Sequence, residues 1–324
     1  MALGFFRLLI LFLAVVAVGE LVSRFHMQPV PKEPLPTVEI LDIKLPTPPR
    51  PKPSVPPPPP PVAPATKDTP PPQPKPAPPP PAPRPPPPPA LKEAEFYARY
   101  APAVIQIFCR TPQEIFAASG VIVNERGLIL TNAHVGEVVK RSGEENCQAR
   151  HGNPAERFAG IQIIFIADSA LKIPETEVPQ RDVAFLRLVG PEEPFAVASI
   201  ALAFVERGTT LLTLGYPSEF LEGITTTSNS NLVFSSLRVD EYADVDDDKT
   251  TAEAYVSKGG IALQQGSSGT ALFQPSGPIV GLIFATTEGA TTGDRQGIAL
   301  TTPYIDKILR REAGQGLLEF MESH

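Results

Sequence analysis

A serine hydroxyl attacks a carbonyl efficiently only when a neighbouring base takes its proton and N–H donors receive the charge that develops on oxygen. The residue types for that chemistry occur in three stretches: His134 in GLILTNAHV, Asp182 in RDVAFLRL and Ser268 in QQGSSGTALF. His134 is one of four histidines in 324 residues and follows an apolar run, Leu128 to Leu130. A histidine at such an edge is equally a satisfied core residue, so its partners decide. Asp182 opens an apolar stretch, where a partly buried carboxylate could orient an imidazole and stabilise its protonated form. Asp168, closing IIFIAD, is the rival, although Ser169 and Ala170 behind it read as a strand-ending turn. Gly266 lets the backbone turn so that its own amide and that of Ser268 face one pocket, and Gly269 leaves room for a substrate. A flexible Ser/Gly turn is the plain alternative. An α/β-hydrolase elbow is excluded, because it needs glycine where Thr270 stands and a histidine after the serine other than the terminal His324.

The elements that must position these residues lie in the last 235 residues. Of the 42 prolines, 31 fall between Pro29 and Pro89, and a tract of that kind stays in solvated polyproline II rather than a packed core. At about 3.1 Å per residue its reach approaches about 190 Å, so it reads as a disordered tether. From residue 90 onward, 19 Lys+Arg face 30 Asp+Glu, a balance that disfavours nucleic acid as a partner. Apolar or alternating runs predict strands at 103–109, 115–124, 127–131, 161–167, 183–188, 210–214, 252–256, 270–273, 279–286 and 297–300, with helices at 91–100 and 304–311. Many short strands with few helices argue for an all-β antiparallel sandwich or barrel.

The same residues carry a family resemblance. YARYAPAVIQIF, GVIVNERGLILTNAHV, RDVAFLRL, LTLGYPSE and GSSGTALF are similar, in order, to the opening helix and strand, histidine hairpin, aspartate strand, Gly-Tyr-Pro turn and nucleophile loop of trypsin-like serine proteases of the HtrA (Deg) group. The resemblance spans nearly all of 93–312. It implies a chymotrypsin-like fold of two six-stranded antiparallel barrels with the site between them. It also implies His134 as base, Asp182 as its orienter, Ser268 as nucleophile, and the Gly266 and Ser268 amides as oxyanion hole, with polypeptide as substrate and no metal or organic cofactor. Ala262 would floor the substrate pocket and Ile283, Phe284 and Ala285 would form its wall, favouring small or medium apolar side chains over Lys or Arg. The match departs at the nucleophile loop, where Gln264, Gln265, Gly266, Ser267, Ser268, Gly269 and Thr270 replace a run of Asn-Pro-Gly-Asn-Ser-Gly-Gly. The rigidity given by that proline and second glycine is missing. The 56 residues after Ser268 are expected to complete the second barrel without adding a PDZ module.

Arg7 followed by uncharged residues 8–19 has the form of an export signal, expected here to stay as a membrane anchor over 1–24 with the rest outside the cytoplasm. Cleavage after Gly19 is the alternative. The expected organisation is therefore anchor 1–24, proline-rich linker 25–90 and protease domain 91–324, periplasmic if the source is a Gram-negative bacterium. Cys109 and Cys147 fit that compartment and can pair, or remain two free thiols. The acidic run DEYADVDDD places Asp244, Asp246 and Asp248 at the spacing that starts a calcium loop, but Lys249 occupies the glycine position and Tyr255 the closing glutamate position, so a solvated loop is expected. A second class of function stays open: a non-enzymatic envelope protein whose protease-like domain only binds partners.

Overall fold

The chain is described by a computed structural model covering residues 89–112, 114–173, 178–190, 194–218, 230–246, 252–264, 266–287, 291 and 293–324. The expected anchor, and all but the last two residues of the expected linker, lie outside them. Among the described residues, no helix is long and apolar enough to cross a membrane.

Among the described residues, thirteen strands form two antiparallel systems. The first comprises β1 (Val104–Arg110), β2 (Ile115–Ile122), β3 (Leu128–Thr131), β4 (Cys147–Gly152), β5 (Ala155–Ile166) and β6 (Ala184–Val189), closed into a barrel in the order β1-β2-β3-β6-β5-β4. The second comprises β7 (Thr210–Gly215), β8 (Val233–Arg238), β9 (Glu241–Ala243), β10 (Ala254–Lys258), β11 (Ala271–Phe273), β12 (Ile279–Thr286) and β13 (Gln296–Thr301), ordered β8-β7-β11-β12-β13-β10-β9. The two-sheet, all-β architecture is the one expected. The second sheet differs in detail, carrying seven strands with β8 and β9 at its described edges rather than six in a closed ring.

Burial draws the strands together, and β1, β3, β7, β11 and β12 are buried at nearly every residue rather than at alternate ones. Ile105, Ile107, Leu128, Leu130 and Phe185 fill the first barrel, while Leu214, Phe273, Leu282 and Leu300 extend the same apolar cluster into the second sheet. The helices before and after the strands clasp the two systems crosswise. Helix α1 (Glu93–Tyr100) precedes the first barrel, yet Phe96 and Tyr100, one turn apart, pack their rings 5.2 and 5.1 Å from Phe273 of the second sheet. After β13 come α3 (Thr302–Glu312) and α4 (Leu317–Ser323); Phe320 of α4 returns to the first barrel, its ring 4.7 Å from Phe185 and 5.7 Å from Phe165. Asn124, Arg126 and Arg187 donate to the carbonyls of Met321, Glu322 and His324, satisfying acceptors that a helix end leaves unpaired. Among the described residues a further helix, α2 (Ala133–Ser142), lies against β5 and β6, where Gly136 permits the approach: a Cβ there would stand 2.9 Å from Ile166.

Cys109 and Cys147 are register partners on β1 and β4 and form a disulfide across a sequence separation of 38. Closing a loop of that length removes entropy from the unfolded chain equivalent to about 4 kcal/mol. Replacing both cysteines by serine is expected to lower the unfolding midpoint by about 8–16 °C in a thermal melt, at about 2–4 °C per kcal/mol for a domain of this size. An unchanged midpoint would show that the bridge does not constrain the unfolded chain.

Candidate active site

β3 ends at Thr131, and Asn132 adopts extended backbone (φ −88°, ψ 154°) as the N-cap of α2. His134 therefore stands in the first turn of a helix, not at the end of a strand. Asp182 lies two residues before β6, and β6 pairs with β3 in the register Thr131↔Ala184, so sheet pairing brings the carboxylate under the helix start. The contact is close and two-pronged: Asp182 Oδ2 is 2.6 Å from His134 Nδ1, and Oδ1 accepts the His134 backbone N–H at 2.9 Å. Asp182 is fully buried, while the His134 side chain keeps 34% of its surface exposed. Asn132, which sequence reasoning did not single out, donates its side-chain amide to the Asp182 carbonyl at 2.9 Å and fixes that residue from the other side.

Burial opposes charge on the imidazole, but the Asp182 carboxylate and its hydrogen bond more than compensate, and Lys172 subtracts a little; His134 is held above the ordinary histidine range. Nδ1 is committed to the carboxylate. Nε2 makes no hydrogen bond among the described residues and is left as the basic face of the ring. Asp168 is elsewhere: exposed, its carboxylate accepts the Ala170 N–H in a local turn and its own N–H goes to Glu312. Glu312 also pairs with Arg181 at 2.9 Å in a largely buried contact, tying α3 to the residue before Asp182.

The serine turn docks onto the first barrel. Ser119 of β2 donates its N–H to the Ser268 carbonyl at 2.8 Å. Gly269 adopts φ +80°, and a Cβ there would stand 2.1 Å from the Ser119 carbonyl and 2.5 Å from Thr131 Oγ1. Glycine is thus required at 269 by the barrel wall behind it, rather than by a substrate in front. The turn consequently sits at the end of β3, three residues before His134. Within it, Ser267, Gly269 and Thr270 donate their N–H groups to the carbonyls of Gln264, Ile283 and Ser267. The N–H groups of Gly266 and Ser268 donate to no acceptor among the described residues. Those are the two amides expected to form an oxyanion hole. The Ser268 hydroxyl also makes no hydrogen bond among the described residues.

The four residues expected to shape a substrate pocket divide between two apolar clusters. Ala262 and Ile283 join one; Phe284 belongs to the other, because adjacent strand residues face opposite sides of the sheet, and Ala285 packs against that same cluster where the β12–β13 register shifts between Ile283 and Ala285. A cavity of about 440 Å³ lies away from all of them, on the first barrel beside Phe108, Arg110, Cys147, Arg150 and Arg157. In the acidic run, Asp244, Asp246 and Glu253 bring carboxylate oxygens within 4.8 Å of one another, and Lys307 pairs with Asp246 at 2.9 Å. Tyr255 is a core residue, fully buried, and its phenol is pushed up to about 12 by burial. Asp248 and Lys249 lie outside the described residues.

Residues 118–282, just over half of the chain and containing His134, Asp182 and Ser268, match the trypsin-like peptidase domain family. This chain belongs to the trypsin-like peptidases. Comparison of the peptidase with curated proteins finds no match. Among solved structures it is similar to the active form of the Rv3671c protease from M. tuberculosis, with 21% identity, TM-score 0.45, and 71% of this chain and 91% of that one covered. It is also similar to a serine endoprotease from Yersinia pestis, with 19% identity, TM-score 0.49, and 69% and 68% covered. A third is the HtrA-type protease AlgW with a tripeptide, with 18% identity, TM-score 0.49, and 69% and 65% covered. The peptidase is a serine endopeptidase acting on polypeptide.

Proposed function

We propose that this peptidase is a membrane-tethered, exported enzyme that cleaves peptide bonds through His134, Asp182 and Ser268. The observation that carries the reading is the buried Asp182 holding His134 Nδ1 at 2.6 Å, which leaves Nε2 as the base. In the proposed reaction, Nε2 takes the proton from Ser268 Oγ as the oxygen attacks the substrate carbonyl. The resulting oxyanion accepts from the Gly266 and Ser268 amides. The imidazolium then gives its proton to the leaving amine, and water releases the acyl group by the reverse transfers. Absence of an acidic side chain among Ala262, Ile283, Phe284 and Ala285 argues for small or medium apolar residues before the scissile bond. Export and tethering rest on the apolar stretch after Arg7 and on the proline tract behind it.

A fluorophosphonate probe, which phosphonylates an activated serine with loss of fluoride, tests the assignment on the full chain. The native protein should be labelled and Ser268→Ala should not. Equal labelling of both would move the nucleophile elsewhere, and absence of labelling in both would favour a domain that binds without cleaving. Export is tested by tracking the chain to the membrane fraction and digesting intact cells or spheroplasts with an added protease. Protection of residues 91–324 in unbroken spheroplasts would overturn it.

A further inference from the structure

We propose that Ser119 is a positioning residue for the oxyanion hole, an inference that rests on the serine-peptidase reading of the Gly266 and Ser268 amides. Ser119 lies on β2, wholly buried, and makes four hydrogen bonds that join three separate parts of the chain. Its N–H goes to the Ser268 carbonyl at 2.8 Å. Its carbonyl accepts from Thr131 Oγ1 at 2.9 Å, at the end of the strand that carries the histidine helix. Its hydroxyl donates to the Gly266 carbonyl at 3.1 Å and accepts the Tyr216 N–H at 2.9 Å, where β7 leaves the second sheet.

The hydroxyl contact matters because of where it falls in the nucleophile turn. A peptide unit is planar, with its C=O and N–H pointing opposite ways. The unit between Gly266 and Ser267 lies directly between the two units that carry the proposed oxyanion donors. Its N–H is held by the Gln264 carbonyl at 3.0 Å and its C=O by Ser119 Oγ. The following unit is held through its Ser267 carbonyl by the Thr270 N–H at 2.9 Å, which turns the Ser268 N–H the other way. Gly266 adopts φ +86°, and glycine accepts both signs of φ at little cost. A turn hinged on glycine, without a proline before it, can flip the Gly266–Ser267 unit and so release the direction of the Gly266 N–H in the unit before. The Ser119 hydroxyl, reaching across from a rigid barrel strand, opposes that flip. In this chain it supplies a constraint that the loop sequence itself lacks.

The test compares the full-chain native protein with Ser119→Ala and Ser119→Cys, the latter keeping the shape while weakening the donor. Each is assayed for its second-order rate of fluorophosphonate labelling across pH and for inhibition by a peptide aldehyde ending in alaninal, whose adduct places an oxyanion in the hole. Thermal melts establish that each variant is folded; if the alanine variant is not, the cysteine variant carries the comparison. The labelling rate should fall between about tenfold and a hundredfold in Ser119→Ala, less than the 10²–10³ lost on deleting an oxyanion donor outright. Aldehyde affinity should fall in parallel, and Ser119→Cys should lie between. The pH midpoint of labelling should not move, because His134 and Asp182 are untouched. A folded variant that labels at the native rate overturns the proposal. So does a loss that arrives with a shifted pH midpoint, which would act through His134. If the native chain is not labelled at all, the peptidase mechanism fails and the role of Ser119 fails with it.

Discussion

Ser268→Ala is expected to lower kcat about 10⁶-fold on any peptide the enzyme cleaves, equivalent to about 8 kcal/mol of transition-state stabilisation. Alanine removes one oxygen and leaves the turn intact: the Ser268 carbonyl keeps the Ser119 N–H, and Gly269 keeps its place against Ser119 and Thr131. Loss of rate is therefore expected without loss of fold, and with KM little changed. What remains should still exceed the uncatalysed rate by about 10³–10⁴, because the Gly266 amide and the amide at position 268 can stabilise an oxyanion formed by direct attack of water. Substituting His134 as well should cost almost nothing more if the proposed base and nucleophile act as one unit. The measurement is kcat for both single variants and the double. Multiplicative losses in the double variant would show that His134 and Ser268 do not act in one step.

The stretches that carry the His134–Asp182 contact and the serine turn were legible in the sequence, for local reasons. His134, Asp182 and Ser268 each sit beside an apolar run that fixes a strand, and β3–β6 pairing follows from two such runs. Gly266 and Gly269 announced the turn. Other features were hidden by the physics that makes them. Asn132 followed by Val135, Val138 and Val139 carries the cap and spacing of a helix, but the preceding apolar strand masked its start, and the Asn132 amide serves Asp182 rather than the helix. β4, β8 and β9 and the first half of β5 escaped because their polar and half-exposed residues, as in Val233–Arg238, lack the continuous apolar run used to find strands. Ser119 was invisible to spacing: its hydroxyl partners lie 147 and 97 residues away. In the local sequence it is only a small polar residue inside an apolar strand. The rival carboxylate, by contrast, was separable in advance, because Asp168 is followed by turn residues and forms such a turn.

Asp182→Asn should reduce kcat about 10⁴-fold, for a reason that lies in the direction of one proton. The carboxylate accepts from both the backbone N–H and the Nδ1–H of His134, so the ring's other nitrogen is unprotonated and faces outward. A side-chain amide has one acceptor and one donor. If its oxygen keeps the His134 backbone N–H, its NH₂ group faces Nδ1, the imidazole must turn acceptor there, and the proton moves to Nε2. A ring protonated at Nε2 cannot take a proton from serine. The same substitution removes the attraction that raises the His134 pKa while leaving the burial that lowers it. In the native enzyme the base is neutral only above its raised pKa, so activity should increase with pH through a midpoint above the ordinary histidine range and disappear below it. In Asp182→Asn that acid limb should move to lower pH, although the plateau it rises to is far smaller. The two effects separate in a pH profile of kcat/KM: the plateau reports the tautomer and the midpoint reports the charge. A lowered plateau with an unmoved midpoint would mean that the acid limb belongs to some group other than His134.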